Sequence, residues 1–318
     1  MRIRTLDLFH GAGGSSLGAL EGGAEIVAGI DFWNMASDCY LRNFPDARVI
    51  NKDIRRVSPK RLHRLIGDID LIIASPECTN HTCAKGAAAR CEESRLTAFE
   101  VVRFAKEFLP KWIVIENVVH MGSWDAYPRL IHNLEKLGYK IKVEKLNAMD
   151  FGVPQSRRRL FIVCSLLESP EEVGKPDTEI KPASSVIDFN GNYSFSPLFS
   201  PGRAKPTIER AQRAMAELGV KEHFLIVYYG TDQSGGWQSL DRPLRTITTL
   251  DRFAYVKPSP NGHKMRMLQP EELKLAMGFK KSYILESGVR RDKVKLMGNA
   301  VCPPVMEYIV KSLISQDQ

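Results

Sequence analysis

The sequence predicts an α/β fold, a doubly wound and mostly parallel sheet joined to a second, smaller and irregular domain. Short continuous apolar runs bounded by turn residues are typical of strands buried on both faces, and amphipathic segments of helical period separate several of them. From about Ser165 the periodicity fades, and residues 168–206 are rich in Pro, Ser, Gly and Asn, which indicates a linker into another module. The length of 318 residues suits one large and one small domain.

Composition limits the class of protein. The 45 Lys and Arg residues exceed the 37 Asp and Glu residues, and the net charge of +8 favours a polyanionic partner without establishing one. No apolar run reaches membrane length, and the N-terminus lacks the pattern of a signal peptide, so we expect an intracellular protein. The six cysteines form no Cys-x2-Cys pair and are expected to be free thiols: Cys39, Cys78, Cys83, Cys91, Cys164 and Cys302.

The first two predicted strands end in residues suited to a nucleotide-like ligand. The strand over residues 4–9 runs into a glycine turn at His10-Gly11-Ala12-Gly13-Gly14 before a helix, although the spacing is not that of the dinucleotide fingerprint. The second strand, residues 24–30, ends in Asp31-Phe32-Trp33, where a carboxylate could hold a ribose diol and an aromatic ring could stack on a base. Asp31 could equally cap the following helix.

The next two strands add a second acidic residue and a thiol. After the short strand Val49-Ile50, Asp53 could accept from an exocyclic amine or cap a turn. The buried strand that starts at Ile69 ends in Ser75-Pro76, and Cys78 follows just beyond its tip. Because ligands gather outside the carboxyl ends of parallel strands, this thiol is expected to face a crevice, the alternative being a small buried core residue. Residues 81–93 are predicted to form a loop over that crevice.

The fifth strand and a basic tripeptide supply further polar groups. Residues 112–115 are predicted to be a buried strand with Glu116 at its tip, close to the thiol if the two strands are neighbours. The tripeptide Arg157-Arg158-Arg159 precedes a predicted strand over residues 160–164. Its guanidinium groups either form a solvated basic face or pair with phosphate or with the edge of a base. Further elements are predicted as helices over 96–109, 127–137, 209–218, 269–277 and 303–313, strands over 140–147 and 224–229, and a turn over 296–301.

In this order the motifs resemble those of the S-adenosylmethionine-dependent DNA (cytosine-5-)-methyltransferase family. Each motif is weak alone, but eight in the right order across nearly the whole chain are specific. They are Asp7-Leu8-Phe9-x-Gly11-x-Gly13-Gly14, Asp31, Asp53-Ile54, Pro76-x-Cys78, Glu116-Asn117-Val118, Gln155-x-Arg157-x-Arg159, Arg242-Pro243 with Thr246, and Gly298-Asn299-Ala300-Val301.

The resemblance implies a fold, a reaction and a domain arrangement. It implies a class I methyltransferase with a Rossmann-like sheet, in which residues 1–165 and 265–318 form the cofactor-binding catalytic domain and residues 166–264 the target-recognition domain. The implied reaction moves a methyl group from S-adenosylmethionine to C5 of a cytosine in a specific double-stranded DNA sequence, with S-adenosylhomocysteine as product, no metal, and the target base flipped out of the helix.

The resemblance assigns the catalytic roles, and the chemistry explains the residue types. Cytosine C5 is a poor nucleophile, so the Cys78 thiolate first adds at C6 to make C5 enamine-like. Glu116 would donate a proton to N3, which requires a carboxyl group that stays protonated near neutral pH. Arg159 would hold the cytosine O2, and Arg157 would lie close to the site.

The resemblance also assigns a set of residues to the cofactor. Phe9 would lie against the adenine and Asp53 would accept from its amine, while Asp31 would hold the ribose hydroxyls beside the stacking ring of Phe32. Asn299 would meet the amino-acid end. The matching motifs complete this set with Gly11, Gly13, Gly14, Ile54 and Pro76.

Two features depart from the family pattern. Pro76-Glu77-Cys78-Thr79 stands where the family usually has Pro-Pro-Cys-Gln, and we expect Glu77 to point away from the thiol because adjacent side chains on an extended segment diverge. Only about eighty residues separate Arg159 from Arg242, which is a compact region for recognising DNA.

Three hypotheses for function follow. The first is a DNA methyltransferase, expected to be a cytoplasmic, nucleoid-associated monomer with double-stranded DNA as partner, a cognate restriction endonuclease as candidate partner, and no membrane association. The second is a tRNA cytosine-C5 methyltransferase, and the third is a catalytically silent DNA-binding relative, suggested by Glu77. The module after residue 165 favours duplex DNA, and the joint presence of Cys78, Glu116, Arg157 and Arg159 argues against the silent relative.

Overall fold

A computed structural model describes residues 3–77, 95–229 and 235–317. Its larger sheet has seven strands in the order β3-β2-β1-β4-β5-β7-β6, and all neighbouring strands are parallel except the pairs that β7 makes with β5 and β6. The strands are β1 (Ile3–Leu8), β2 (Ala24–Asp31), β3 (Arg48–Asn51), β4 (Leu71–Ala74), β5 (Trp112–Asn117), β6 (Lys140–Asn147) and β7 (Arg158–Ser165). The predicted α/β class with a mostly parallel sheet is confirmed.

A second, antiparallel sheet has the order β10-β9-β11-β12-β8. Its strands are β8 (Ser196–Pro197), β9 (Phe224–Val227), β10 (Trp237–Ser239), β11 (Phe253–Lys257) and β12 (Lys264–Met267). The last strand crosses the expected domain boundary between residues 264 and 265, and the division into two domains stays a prediction.

Helices cover both faces of the larger sheet. The helices described in the chain are, in order, α1 (Gly14–Glu21), α2 (Asn34–Asn43), α3 (Pro59–Ile66), α4 (Phe99–Phe108), α5 (Tyr127–Glu135), α6 (Lys205–Leu218), α7 (Pro270–Ala276), α8 (Arg290–Asn299) and α9 (Pro303–Gln316). Of these, α6 packs against the second sheet instead of the larger one.

The central strands are apolar throughout because each face packs against helices. In β4, Leu71 and Ile73 belong to one apolar cluster, which also holds Val310 of α9, while Ile72 belongs to a second cluster with Phe104 of α4. Side chains alternate between the two faces of a strand, so a strand between two helical layers needs apolar residues at every position.

The predicted turn over residues 296–301 is wrong, because residues 290–299 form α8. The helix carries four basic residues and ends at Gly298-Asn299, so it shows little apolar period from which a helix could be predicted. Gly298 is required by packing rather than by a turn, since a Cβ there would lie 2.4 Å from the carbonyl oxygen of Thr248.

Several short strands of the structure were not predicted, and one predicted loop cannot be compared with it. Strands β8 and β10 to β12 have no counterpart among the predicted elements, because runs of two to five residues carry too little period to detect. The loop predicted over residues 81–93 lies outside the described residues. In the parts of the chain that the structure describes, no helix is both long and apolar enough to cross a membrane.

Candidate active site

A cavity of about 260 Å³ opens at the carboxyl ends of β1, β2, β4 and β5, where the end of α8 forms the opposite wall. The four strands are parallel, so their carboxyl ends meet at one edge of the sheet. Seven of the residues predicted to form the site line this cavity: Phe9, Gly11, Asp31, Phe32, Pro76, Glu116 and Asn299.

The turn after β1 is held in a strained conformation by the end of β2. Phe9 has a φ of 63°, a left-handed conformation that is unfavourable for an aromatic residue. The two oxygens of the Asp31 carboxylate accept from the backbone N–H groups of Gly11, at 2.9 Å, and Trp33, at 2.8 Å. Asp31 therefore fixes the glycine turn against the second strand, next to the exposed ring of Phe32.

Gly13 and Gly14 lie behind the cavity wall. Gly13 has a φ of 76°, and its missing side chain leaves room for the ring of Phe44 and the hydroxyl group of Tyr283. A Cβ on Gly14 would lie 2.1 Å from the carbonyl oxygen of Val301. Glycine at these positions lets the turn approach the segment after α8, so their effect on the cavity is through packing.

The structure does not bring Asp53 and Ile54 into the cavity wall. The Asp53 carboxylate accepts from the Arg55 guanidinium, with Nη2 at 2.6 Å, and this interaction lowers the pKa of Asp53. Ile54 is buried in the apolar cluster behind the sheet, and its carbonyl oxygen accepts from Arg103. Their predicted role toward an adenine stays a prediction.

Glu116, which is buried at the end of β5, forms an ion pair with the partly buried Arg159. Nε of Arg159 donates to the Glu116 carboxylate at 3.0 Å, and the exposed fractions of the two side chains are 15% and 8%. Burial raises the pKa of Glu116, and the positive charges of Arg159 and Arg157 offset part of that rise. The site therefore holds a carboxyl group that is biased toward its protonated form at the cavity wall.

Arg157 binds backbone rather than facing the cavity. Its guanidinium donates to the carbonyl oxygens of Ile247 at 2.9 Å, Gly298 at 2.8 Å and Ala300 at 3.1 Å. These contacts join the residue before β7 to the end of α8 and to the segment before β11. The geometry is that of a positioning residue, which holds the wall bearing Asn299 in place.

The segment leading to the predicted nucleophile is fixed by β5. The side chain of Asn117 donates to the carbonyl oxygen of Pro76 at 3.0 Å, which ties the end of β4 to that of β5. Glu77 is exposed and contributes to the cavity wall. Cys78 lies outside the described residues, so its role and the expected direction of Glu77 relative to the thiol stay predictions.

Among the residues that line the cavity, Lys295, His10 and Ser15 carry polar side chains that were not predicted as part of the site. Lys295 lies on the wall four residues before Asn299, and identifying α8 as a helix would have placed both on one face. His10 is buried, its Nδ1 lies 2.9 Å from the carbonyl oxygen of Gly11, and burial lowers its pKa. Ser15 also lines the wall and is hydrogen-bonded to Ser75.

The chemistry of the wall fits S-adenosylmethionine. It combines a carboxylate at the second strand end for a ribose diol, aromatic rings for a base, and an amide and a cation for a zwitterionic end. No group of three His, Cys, Asp or Glu side chains is arranged for a metal ion within residues 3–77, 95–229 and 235–317.

Comparison with known proteins identifies the family. The sequence model of the C-5 cytosine-specific DNA methylases matches residues 3–315. Type II methyltransferase M1.HphI of Haemophilus parahaemolyticus is 35% identical over 335 residues, which cover 100% of this chain and 88% of that relative. Type II methyltransferase M.HhaI of the same species is 27% identical over 325 residues, covering 98% and 94% of the two chains.

Solved structures share the fold. A methyltransferase of Entamoeba histolytica, EhMeth, superimposes with a TM-score of 0.75 at 18% identity and covers 100% of this chain and 99% of its own. The Dnmt2 methyltransferase of S. pombe gives a TM-score of 0.73 at 19% identity, with 100% of both chains covered. The expected family is confirmed: the chain belongs to the C-5 cytosine-specific DNA methylase family and is a DNA (cytosine-5-)-methyltransferase.

Proposed function

We propose that this enzyme methylates C5 of a cytosine within a specific double-stranded DNA sequence through a covalent adduct between Cys78 and C6 of the base. The observation that carries the proposal is the ion pair between Glu116, which lines the cavity, and Arg159, which contacts the Glu116 carboxylate at 3.0 Å; burial raises the pKa of that carboxyl group. Pro76 and Glu77, on the same wall, lead directly into Cys78. An acid, a cation and a thiol are the groups that the reaction needs.

Each side chain would act at a stated atom of the cytosine. The Cys78 thiolate forms a bond to C6 while Glu116 donates a proton to N3, which makes C5 nucleophilic. Arg159 holds O2 and keeps the Glu116 carboxyl oriented. S-Adenosylmethionine, when bound, supplies an electrophilic methyl group. As C5 takes up that methyl group, N3 returns its proton to Glu116; a base then removes the C5 proton and Cys78 leaves as a thiolate.

Asp31, Phe9, Phe32 and Asn299 would hold the cofactor, and S-adenosylhomocysteine would remain as product. Asp31 is supported most strongly, because its carboxylate stands at the end of β2 and is oriented by two backbone N–H groups. No step of the proposed reaction requires a metal.

The smaller, second sheet and its loops would read the DNA sequence. The relatives named above are type II methyltransferases, so we propose that this enzyme acts as a monomer in restriction–modification, with a cognate endonuclease of the same sequence specificity. The net charge of +8 suits a DNA partner.

One experiment tests both the substrate and the nucleophile. The protein and its Cys78→Ser variant are expressed in a host that lacks 5-methylcytosine in its DNA, and 5-methylcytosine is quantified in DNA and in tRNA by nucleoside mass spectrometry. We expect new 5-methylcytosine in DNA with the wild type and none with the variant. Binding of S-adenosylhomocysteine by both proteins is the control for folding.

Each of the other outcomes would contradict a stated part of the proposal. Signal confined to tRNA would contradict the DNA substrate, and no signal in either pool would contradict the enzyme assignment under those conditions. Methylation by Cys78→Ser at the wild-type level would show that Cys78 is not the nucleophile. Methylation-sensitive sequencing of the same host DNA would give the recognition sequence.

A further inference from the structure

We propose that Lys295 binds the carboxylate group at the amino-acid end of S-adenosylmethionine. This inference rests on the proposed function, because it takes S-adenosylmethionine as the occupant of the cavity. It gives a binding role to a residue that neither the motifs nor the strand ends single out, since Lys295 lies in the middle of a helix.

Lys295 shares a face of α8 with Asn299, the residue expected to meet the amino-acid end. Residues four positions apart on a helix are neighbours on its surface. Both side chains line the cavity, together with Leu296, and both residues are exposed to solvent. The helix thus presents an ammonium group and an amide to the same part of the cavity.

The ammonium group of Lys295 is held by an aromatic ring. Its Nζ lies 4.4 Å from the ring centre of Trp33, which immediately precedes α2 and follows the strand end that carries Asp31. A cation–π contact orients the ammonium group through the ring face, and its N–H groups can still donate to an anion. No carboxylate forms an ion pair with Lys295 within the described ranges of the chain.

The charges of the wall favour this assignment. Asp31, Glu77 and Glu116 contribute carboxyl groups, whereas Lys295 is the one Lys or Arg among the described residues that line the cavity. S-Adenosylmethionine carries a positive sulfonium, a positive ammonium and a negative carboxylate. The acidic groups suit the ribose hydroxyls and the positive charges, and Lys295 is the countercharge that remains for the carboxylate.

A pair of ligands isolates this interaction. S-Adenosylhomocysteine carries the carboxylate, and its decarboxylated analogue, 5′-deoxy-5′-(3-aminopropylthio)adenosine, lacks that group alone. The dissociation constants of both ligands are measured by isothermal titration calorimetry for the full-length wild type and for Lys295→Met, Lys295→Arg and Lys293→Met. Lys293 lies on the same helix and does not line the cavity, which makes it the matched control.

We expect Lys295→Met to weaken binding of S-adenosylhomocysteine about tenfold, the size of one charge-assisted hydrogen bond. The same variant should bind the decarboxylated analogue with an affinity within about twofold of the wild type, since the interacting group is missing from the ligand. Lys295→Arg should retain most of the affinity, and Lys293→Met should match the wild type for both ligands.

Two results would overturn the proposal for Lys295. Equal weakening for both ligands would mean that Lys295 acts only by packing on Trp33, and unchanged binding of both would mean that it makes no contact with the cofactor. A wild type that binds neither ligand would overturn the proposed cofactor and the proposed function as well, so the two failures are distinguishable. Thermal unfolding of each variant checks that it folds.

Discussion

The position of Glu116 in the fold changes the pKa of its carboxyl group. It lies at the carboxyl end of a strand that is buried on both faces, so burial raises its pKa, while Arg159 at 3.0 Å keeps it oriented and offsets part of that rise. The same carboxyl group on the protein surface would escape this burial penalty and keep its ordinary pKa.

We predict that Glu116→Gln folds normally and loses methyl transfer by a factor on the order of 10² to 10⁴, because an amide cannot donate a proton to N3 as a carboxylic acid does. Gln retains an oxygen that can accept from Arg159. Initial rates of methyl transfer to DNA measure the effect, and Glu135→Gln, an exposed change on α5, is the control. A variant rate close to that of the wild type would exclude Glu116 as the proton donor.

Asp7 is a second buried carboxyl group, located on β1 below the glycine turn. It accepts a hydrogen bond of 2.6 Å from Ser16, whose hydroxyl is also hydrogen-bonded to Tyr40. Burial raises the pKa of Asp7 to about 8. Because the unfolded chain ionises this group near its ordinary pKa, the folded state loses stability as the pH rises from about 4 to about 8.

In the wild type, titration of Asp7 should lower the free energy of unfolding by on the order of 1 kcal/mol per pH unit between pH 5 and pH 8. We predict that Asp7→Asn removes this contribution to the slope, because Asn does not titrate. Urea unfolding at several pH values provides the measurement. Asp53→Asn is the control, since interaction with Arg55 lowers the pKa of Asp53 and its stabilisation is lost toward acid pH instead. An unchanged slope in Asp7→Asn would mean that Asp7 is ionised in the folded protein.

At the scale of the element, the site depends on how closely α1 approaches the chain between α8 and α9. A Cβ on Gly14 would lie 2.1 Å from the carbonyl oxygen of Val301, and one on Gly18 would lie 2.3 Å from that of Pro303. The glycine turn and the segment that carries Asn299 and Val301 are therefore adjacent only because these side chains are absent.

We predict that Gly14→Ala destabilises the protein by about 1–3 kcal/mol and weakens cofactor binding, because the added methyl group must displace backbone. Gly122→Ala is the matched control, since nothing lies within 4 Å of a Cβ at that position. Urea unfolding and titration with S-adenosylhomocysteine measure the two effects. Equal behaviour of the two variants would show that α1 and the Val301 segment are not in tight contact.

The elements of the site differ in how far the sequence predicts them. Buried strands and their polar ends are predictable, because the sequence changes abruptly from an apolar run to a charged residue at Asp31 and at Glu116. The role of α8 was missed, since a basic helix that ends in Gly298-Asn299 has no apolar period. The backbone contacts of Arg157 were missed for another reason: its acceptors are 90 to 143 residues away in the chain.

At the scale of the whole molecule, a buried ion pair fixes the second sheet to the helix α7. Arg266 on β12 and Glu272 on α7 form two hydrogen bonds of 2.7 Å, and each side chain is 2% exposed. Glu272 also accepts from the backbone N–H of Asp188 at 2.8 Å. The second sheet is thereby fixed to the helix that leads back to the cavity.

We predict that Glu272→Ala lowers the free energy of unfolding by about 3–5 kcal/mol, because Arg266 is left buried without its counter-ion. The double variant Arg266→Met with Glu272→Leu should recover much of that loss. Asp251→Asn, which breaks the half-exposed pair with Arg290, should change the free energy by no more than about 1 kcal/mol. A small effect of Glu272→Ala would contradict a role for this pair in fixing β12 to α7.

The proposed covalent bond between Cys78 and the target cytosine is tested most directly by trapping it. Duplex DNA in which 5-fluorocytosine replaces every cytosine is incubated with the enzyme and S-adenosylmethionine, because fluorine at C5 cannot leave as the proton does. We expect a denaturant-resistant protein–DNA adduct whose modified peptide contains Cys78, and no adduct with Cys78→Ser. An adduct mapped to another residue, or no adduct from an enzyme that methylates ordinary DNA, would contradict the account.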